Sequence, residues 1–409
     1  MLGDNGALPA RTDVGRAGVS PKEIRFMSAI DKIRAYHDDL TAIRRDLHAN
    51  PELGLEEHRT AEIVAKTLEE WGIEVHRGIG RTGVVGVLRG RPGNRAVGLR
   101  ADMDALPIEE LGDAPYRSTV PGKMHACGHD GHTTMLLGAA RYLAETRDFD
   151  GTVHFIFQPG EEGCGGALAM LEDGLFERFP CDRIYGMHNR PGIPLGEYAI
   201  CDGPAMAGGG FFDVTVTGRG SHAAQPQASL DPVAATCQIV SALQTIVARN
   251  IHPSDQAVVS ITRLAGGDAY NVIPETARFG GTARFYRREV GDMLEAGIRR
   301  VVEGVAAGLG CSATLDWRLI FAPTVNDPEA TDASVAAMND LAAPEKVTRG
   351  QPPSMGSEDF SFMLEKVPGA YVLVGNGDSA ALHNPNYMFN DEAIPFGSAL
   401  YARLVERGA

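Results

Sequence analysis

The sequence of 409 residues lacks the features of membrane-spanning, disulfide-stabilised and nucleic-acid-binding proteins. No apolar run reaches the roughly 18 residues that a bilayer-spanning helix requires, so no membrane partner is expected. Only six cysteines are present, scattered along the chain, which predicts reduced thiols and a cytoplasmic location. The 38 Lys and Arg are outnumbered by 53 Asp and Glu, giving a formal net charge of −15. This surplus repels phosphate backbones and argues against nucleic-acid binding.

Two common signatures of catalysis and nucleotide binding are also missing. There is no G-x-S-x-G elbow of a serine hydrolase. The glycine runs Gly208–Gly210 and Gly266–Gly267 lack a P-loop lysine and the context of a dinucleotide fingerprint. A hydrophobic content of 44% with 22% charged residues is nevertheless ordinary for a folded globular protein.

Short apolar runs alternate with helical stretches over much of the chain. Helices are predicted at Ala29–Asn50, Glu57–Glu70, Thr133–Ala144 and Gly166–Asp173. Strands are predicted at Val84–Leu88, Ala96–Leu99, Val153–Phe157, Arg183–Met187 and Tyr371–Val374. This alternation predicts an α/β fold with helices covering both faces of a sheet. Residues 1–26 are polar and Gly-rich, and we expect a disordered tail there.

The pattern changes near Ala205. Phe211–Thr217 alternates with period two, and a helix is predicted from about Asp231 to Arg249. Further strands, a second long helix and one more strand follow, which suits a small α+β domain. We therefore predict a first domain split between residues 27–205 and 321–409, with a second domain, residues 206–320, inserted into it.

The densest group of chemically active side chains lies in the run MHACGHDGHTT. Three histidines, one thiol and one carboxylate occur there within a few residues: His125, Cys127, His129, Asp130 and His132. Imidazole and thiolate are ligands for zinc, cobalt, nickel and similar ions. A polar loop ahead of a helix and a nucleophilic Cys127 are alternatives, but the ligand density favours a metal site.

Adjacent carboxylates, Glu161 and Glu162, follow the predicted strand Val153–Phe157. Open α/β sheets bind their ligands at the carboxyl ends of strands. One carboxylate could hold a metal ion while the other acts as general base toward water. A solvated acidic turn is the alternative, and this motif alone leaves both interpretations open.

Potential ligands follow three other predicted strands. Asp102 and Asp104 follow Ala96–Leu99, His188 follows Arg183–Met187, and His383 lies one loop beyond Tyr371–Val374. Such residues would converge at one edge of the sheet, and this convergence predicts a metal site more strongly than any single motif.

The predicted inserted domain carries three further candidates. His222 could donate to a developing oxyanion, and Arg284 could hold a substrate carboxylate in a bidentate contact. Asn271 lies in the run YNVIP. Their spacing alone favours the plainer interpretations of a turn histidine and a strand-face arginine.

Eight motifs in order, between Leu99 and Pro385, identify a family resemblance that covers about Ile30–Leu404. They are LRADMDALPIEE (Leu99–Glu110), MHACGHDGHTTML (Met124–Leu136), FQPGEEG (Phe157–Gly163), GMHNRPG (Gly186–Gly192), GRGSHAAQP (Gly218–Pro226), YNVIPETA (Tyr270–Ala277), MGSEDFSFML (Met355–Leu364) and LHNP (Leu382–Pro385). The chain resembles the hippurate hydrolase and indole-acetyl-amino-acid hydrolase branch of the aminoacylase and carboxypeptidase metallohydrolases.

The resemblance implies a zinc-peptidase-like catalytic domain with a mixed sheet, two divalent ions, and an inserted ferredoxin-like dimerisation or lid domain. The implied metal ligands are Cys127, His129, Glu162, His188 and His383. Glu161 is the implied general base, and His222 is expected to reach the active site of the partner in a homodimer or higher homo-oligomer. Asn271, Arg284 and Gly356 are expected to contact the substrate.

One position departs from the wider superfamily, which usually has a histidine ligand two residues before the aspartate equivalent to Asp102. Arg100 stands there, as is typical of this branch. Asp102 is therefore expected to orient a metal ligand rather than to bind the metal itself.

The implied activity is hydrolysis of N-acyl amino acids, with hippurate-like aryl-acyl or acetyl substrates, to a carboxylate and a free amino acid. The implied ions are zinc, manganese, cobalt or nickel. Dipeptide cleavage, or deacetylation of an amino-acid biosynthetic intermediate, is the alternative on the same dinuclear site. A non-catalytic binding protein would have lost Glu161 or a ligand, and this chain retains all of them.

Overall fold

The structure is a computed structural model and describes residues 29–408. The predicted tail, residues 1–26, lies outside the described residues. Two separate large sheets, one of eight strands and one of four, organise the chain.

The eight-stranded sheet is mixed. Its strands are β1 (Glu74–Ile79), β2 (Gly83–Arg89), β3 (Arg91–Asp102), β4 (Asp150–Gln158), β5 (Arg183–Pro191), β6 (Tyr198–Ile200), β15 (Val347–Arg349) and β16 (Gly369–Gly377). They lie in the order β1-β2-β4-β3-β5-β16-β6-β15. The central strands β4, β3, β5 and β16 are parallel, so their carboxyl ends meet at one edge of the sheet.

Helices cover both faces of this sheet, as the sequence predicts. They are α1 (His37–Ala49), α2 (His58–Glu70), α3 (His129–Thr146), α4 (Gly166–Glu172), α5 (Leu175–Arg178), α9 (Pro328–Leu341), α10 (Ser361–Leu364) and α11 (Ile394–Glu406). Strand β4 shows the two faces directly. Phe155 and Phe157 pack into the core on the α3 side, whereas Ile156 packs with Met170 and Phe360 on the other. Because both faces are covered, the strand reads as a continuous apolar run.

The four-stranded sheet is antiparallel and has its own core. Its strands are β8 (Gly208–Thr217), β10 (Ala257–Gly266), β12 (Thr276–Phe285) and β13 (Ser312–Phe321), in the order β10-β12-β8-β13. Phe212, Val214 and Val216 alternate along β8 and face α6 (Pro232–Leu243), α7 (Thr245–Asn250) and α8 (Arg288–Gly308). This sheet spans nearly the range predicted for the inserted domain; the division into two domains stays a prediction.

Two short ribbons complete the topology of the described chain. One pairs β7 (Pro204–Met206) with β14 (Thr324–Val325), where the chain enters and leaves the four-stranded sheet. The other pairs β9 (Ser221–His222) with β11 (Val272–Ile273), which places His222 directly opposite Val272.

Two predicted helices are interrupted. The stretch Ala29–Asn50 is helical over residues 29–34 and then forms a turn, because Tyr36 N–H bonds to the Ile33 carbonyl and tightens the backbone. The helix predicted from Asp231 to Arg249 breaks at Gln244. There the Thr245 hydroxyl donates to the Ala242 carbonyl at 2.7 Å, and such side-chain donors compete with helical hydrogen bonds.

All six cysteines are free. Across residues 29–408, none of the helices combines the length and the hydropathy needed to cross a bilayer.

Candidate metal centre

The predicted ligands come together at the edge where the central parallel strands end. His188 lies near the end of β5, Glu161 and Glu162 follow β4, and His383 lies six residues beyond β16. Cys127 and His129 flank Gly128, whose φ of +90° turns the chain sharply into α3. This convergence places thiol, imidazole and carboxylate groups at one site.

Two groups of potential ligands share Cys127. Its Sγ lies 3.3 Å from His188 Nε2, and these two residues form one group with His129. Glu162 Oε1 lies 3.1 Å from His383 Nε2, and these two form the second group with Cys127. Within each group the ligand atoms lie within 4.8 Å of one another. A pair of adjoining groups with one common thiol is geometrically suited to two ions.

The surroundings of His129 and His188 favour the binding of a metal ion. His129 Nε2 is buried and makes no hydrogen bond within residues 29–408, although it lies 4.0 Å from Glu162 Oε1. Burial lowers the pKa of His188 well below its usual range, which keeps the imidazole neutral. Thiolate, imidazole and carboxylate together suit zinc, cobalt, nickel or manganese. The residues present therefore fit the metal that the sequence predicts.

The other ring nitrogens of two predicted ligands are held by acceptors. Asp104 Oδ1 accepts from His129 Nδ1 at 3.1 Å, and Asp104 Oδ2 accepts from the Glu162 N–H at 2.9 Å. The main-chain carbonyl of Asn189 accepts from His188 Nδ1 at 2.6 Å. Because each Nδ1 is a donor, each Nε2 keeps its lone pair for a metal ion.

Asp102 has different partners from those the sequence suggests. Its Oδ1 accepts from His132 Nδ1 at 2.6 Å, and it lies 3.9 Å from His129 Nε2 without a hydrogen bond to that ring. Burial opposes its ionisation, but His129, His132 and Arg100 hold the pKa of Asp102 well below its usual range. Asp104, which the sequence analysis names only as a potential ligand, makes the hydrogen bond to His129 instead.

Arg100 occupies the position where the wider superfamily has a histidine ligand, and here it pairs with carboxylates. Its buried guanidinium donates to Asp102 Oδ2 at 2.7 Å and to Glu358 Oε1 at 2.8 Å. A guanidinium stays protonated and offers no lone pair to a metal. Arg100 therefore neutralises buried carboxylates beside the site.

Glu161 lies in a buried, acidic corner. Its carboxylate is within 4.8 Å of those of Glu358 and Asp359. Burial raises the pKa of Glu161 well above its usual range, and the negative charges of Glu358 and Glu162 raise it further. A carboxylate with a raised pKa is a stronger base, and a group that accepts a proton from water needs this basicity.

His222 lies on the β9–β11 ribbon, and Asn271 directly precedes β11. His222 is exposed, and the Asn271 carbonyl accepts from the Ala223 N–H. No hydrogen bond or ion pair of the described chain joins His222 or Asn271 to the predicted ligands.

Arg284 is half-buried and carries an unbalanced charge. Its guanidinium donates to the Thr282 hydroxyl and the Ala283 carbonyl, and to no carboxylate among residues 29–408. A Cβ on Gly209 would lie 3.0 Å from Arg284 Nη1 and 3.4 Å from Ser357 Oγ, so Arg284 borders the segment that carries Gly356 and Glu358. Gly356 itself accepts a hydrogen bond from the Ala207 N–H through its carbonyl.

The model of the peptidase family M20/M25/M40 matches residues 98–407, and the chain belongs to that family. It is 40% identical over 378 residues to the hippurate hydrolase of Campylobacter jejuni, covering 92% of this chain and 98% of the relative. It is also 40% identical over 373 residues to the N-acetylcysteine deacetylase of Bacillus subtilis, covering 91% of this chain and 97% of the relative.

A solved structure has the same fold. The Bacillus subtilis YXEP protein, described as a dinuclear metal binding peptidase from the M20 family, superposes with a TM-score of 0.80 at 37% identity. The match covers 91% of this chain and 98% of that chain. The predicted family and α/β fold are thereby confirmed.

Proposed function

We propose that this protein hydrolyses the amide bond of N-acyl amino acids in a metal-dependent reaction, releasing a carboxylate and a free amino acid. The observation that carries the proposal is the convergence of the two ligand groups sharing Cys127 with the buried carboxylate of Glu161. The similarity to a hippurate hydrolase over nearly the whole chain supports this substrate class.

The metal ligands would be Cys127, His129, Glu162, His188 and His383, with Cys127 shared between two divalent ions of zinc, manganese, cobalt or nickel. When bound, the ions supply Lewis acidity, which polarises a carbonyl and lowers the pKa of water. The similarity to a dinuclear metal binding peptidase supports two ions rather than one. Asp104 and Asp102 would keep the surrounding histidines in place.

Glu161 is the general base in this proposal. It takes the proton from the attacking water and returns it to the leaving amine. The acidic corner formed with Glu358 favours the first transfer, because repulsion between the carboxylates is relieved when Glu161 is protonated.

The substrate carboxylate would bind Arg284, which lacks an acidic partner of its own, beside Asn271 and Gly356. We place His222 in the site of a second copy, where it would stabilise the oxyanion. Its exposure on the β9–β11 ribbon supports this assignment. The protein would therefore be a homodimer, with residues 206–320 as the dimerisation or lid domain.

Deacetylation of an N-acetyl amino acid is the second candidate, and the similarity to an N-acetylcysteine deacetylase favours it.

A reducing, cytoplasmic setting is supported by the six free cysteines, because an oxidising compartment would select for disulfides.

A substrate panel tests the proposal. Metal-loaded enzyme is incubated with N-benzoylglycine, N-acetylcysteine, N-acetylmethionine and a dipeptide, and the released amine is quantified. Release from N-benzoylglycine with little dipeptide cleavage supports the aryl-acyl assignment, whereas faster release from the acetyl substrates supports the second candidate. Cleavage of the dipeptide alone would contradict both.

A further inference from the structure

Asn189 is a buried residue whose hydrogen bonds reach Cys127, His132 and His188. Its Nδ2 donates to the Cys127 carbonyl at 2.7 Å. Its main-chain N–H donates to His132 Nε2 at 2.9 Å, and its carbonyl accepts from His188 Nδ1 at 2.6 Å. A single residue thus fixes the backbone of one predicted ligand and the ring orientation of another.

Tyr387 fixes the orientation of this amide. Its buried hydroxyl donates to Asn189 Oδ1 at 2.8 Å. With Oδ1 held there, the NH₂ group must face the Cys127 carbonyl. Without the hydroxyl, the amide could rotate and bring Oδ1 against that carbonyl oxygen, where two acceptors repel each other.

The glycine between Cys127 and His129 is shaped around this pair. A Cβ on Gly128 would lie 2.4 Å from Asn189 Nδ2 and 2.5 Å from the Tyr387 hydroxyl oxygen. The φ of +90° at Gly128 is also strained for other residues. The Asn189 amide and the Tyr387 hydroxyl therefore lie directly against the turn that positions Cys127 and His129 relative to each other.

We propose that Asn189 and Tyr387 are positioning residues that raise the affinity of the site for its metal ions. The inference rests on the proposed metal ligands. Neither residue is a ligand or a substrate contact in this account, since every hydrogen bond described for their side chains goes to another part of the protein. Their side chains act through the turn that carries Cys127 and His129, which the Asn189 amide holds at the Cys127 carbonyl. The hydrogen bond to His188 comes from the main chain of Asn189 and remains in both variants.

The test measures metal affinity and the stability of the metal-free protein separately, in the full-length chain. Asn189→Leu removes the amide at similar volume, and Tyr387→Phe removes only the hydroxyl. Each variant is stripped with a chelator and titrated with Zn²⁺ in competition with a chromophoric chelator. We expect affinity to fall about 10- to 100-fold, the range typical of residues that orient metal ligands.

A matched control exists at Asn326, the residue directly after β14. Asn326 is also buried and donates to a cysteine carbonyl, that of Cys201, at 3.0 Å. Asn326→Leu should lower the melting temperature of the metal-free protein without changing Zn²⁺ affinity. Tyr198→Phe, which removes a hydroxyl that donates to the Phe396 carbonyl, is the control for Tyr387→Phe.

The outcomes separate the two proposals. Wild-type Zn²⁺ affinity in both Asn189→Leu and Tyr387→Phe, with stability losses like those of the controls, would overturn the positioning role. If Asn189→Leu does not fold, the Zn²⁺ affinity of Tyr387→Phe alone tests the positioning role. Equal Zn²⁺ binding by the wild type and by Cys127→Ala would instead contradict the metal site itself and the present inference with it.

Discussion

The main-chain N–H of His383 donates a 2.8 Å hydrogen bond to the carbonyl of Ala126, the residue before Cys127. His383 adopts a φ of +64°, a left-handed conformation that is uncommon for a residue other than glycine. Strain of this kind concentrates at functional sites, where the surrounding structure holds it. The bond thus aligns two predicted ligands from distant parts of the chain.

Replacing His383 by alanine should remove a ligand while the hydrogen bond to Ala126 remains. We expect metal affinity to fall by more than about 100-fold, the upper end for residues that only orient a ligand. The measurement is the metal content after dialysis against a weak chelator. His222→Ala is the control, because His222 lies on the β9–β11 ribbon and its variant should keep the full metal content. Unchanged metal content in His383→Ala would exclude His383 as a ligand.

Glu161 and Glu162 are adjacent but should respond differently to loss of charge. Glu161→Gln should lower kcat by about 100-fold or more, because proton transfer loses its acceptor, and it should leave the bound metal unchanged. Glu162→Gln should lower the metal content. Turnover and metal analysis on the same samples distinguish the two effects. Near wild-type turnover in a fully metallated Glu161→Gln would contradict the assigned base.

The proposed role of His222 in the partner's site predicts complementation. Glu161→Gln and His222→Ala should each be inactive alone. After the two are mixed and allowed to exchange subunits, the heterodimer contains one intact site, so about a quarter of wild-type activity should return. If His222 acted within its own chain, neither site of the heterodimer would be intact and no activity would return.

Stability should depend on pH through His48, which is buried between Asp130 and Glu110 at 2.8 and 3.2 Å. Burial opposes protonation, but the charge of Asp130 and the hydrogen bonds to Asp130 and Glu110 raise the pKa of His48 from 6.5 to about 9. Because the folded-state pKa is the higher one, the stabilisation is complete below pH 6.5 and is lost as the pH rises through 9.

The size of this effect follows from linkage. A shift of this extent corresponds to about 3 kcal/mol in the free energy of unfolding. Chemical denaturation of the wild type and of His48→Gln over this pH range should show that the free energy of unfolding depends much less on pH in the variant. His76→Gln, at a partly exposed histidine, serves as the control and should behave like the wild type. Equal pH profiles for all three proteins would contradict the assignment.

The sequence predicts the sheet and the converging strand ends because buried strands leave short, mostly apolar runs. Val153–Phe157 is such a run, and Glu161 and Glu162 follow it at the sheet edge. It does not distinguish Asp102 from Asp104. Asp102 ends β3 and Asp104 lies two residues further on, the spacing of residues on one face of a strand, and only the position of α3 decides which carboxylate meets His129.

The sequence does not predict the long-range contacts, and the reason is a different one. Asn189 and Tyr387 are 198 residues apart, and neither an amide nor a phenol is a typical signal of a metal site. The break at Gln244 depends on a local competition for one carbonyl, which apolar periodicity does not reveal. The placement of His222 beside a second copy depends on an interface that a single chain does not define.

Titrating metal back into chelated enzyme while measuring glycine release from N-benzoylglycine tests the central claim most directly. Chelated enzyme should be inactive, and release should rise and reach a plateau at two ions per chain, because both ligand groups around Cys127 must be filled. Full release from chelated enzyme, or release that does not respond to added metal, would contradict the account.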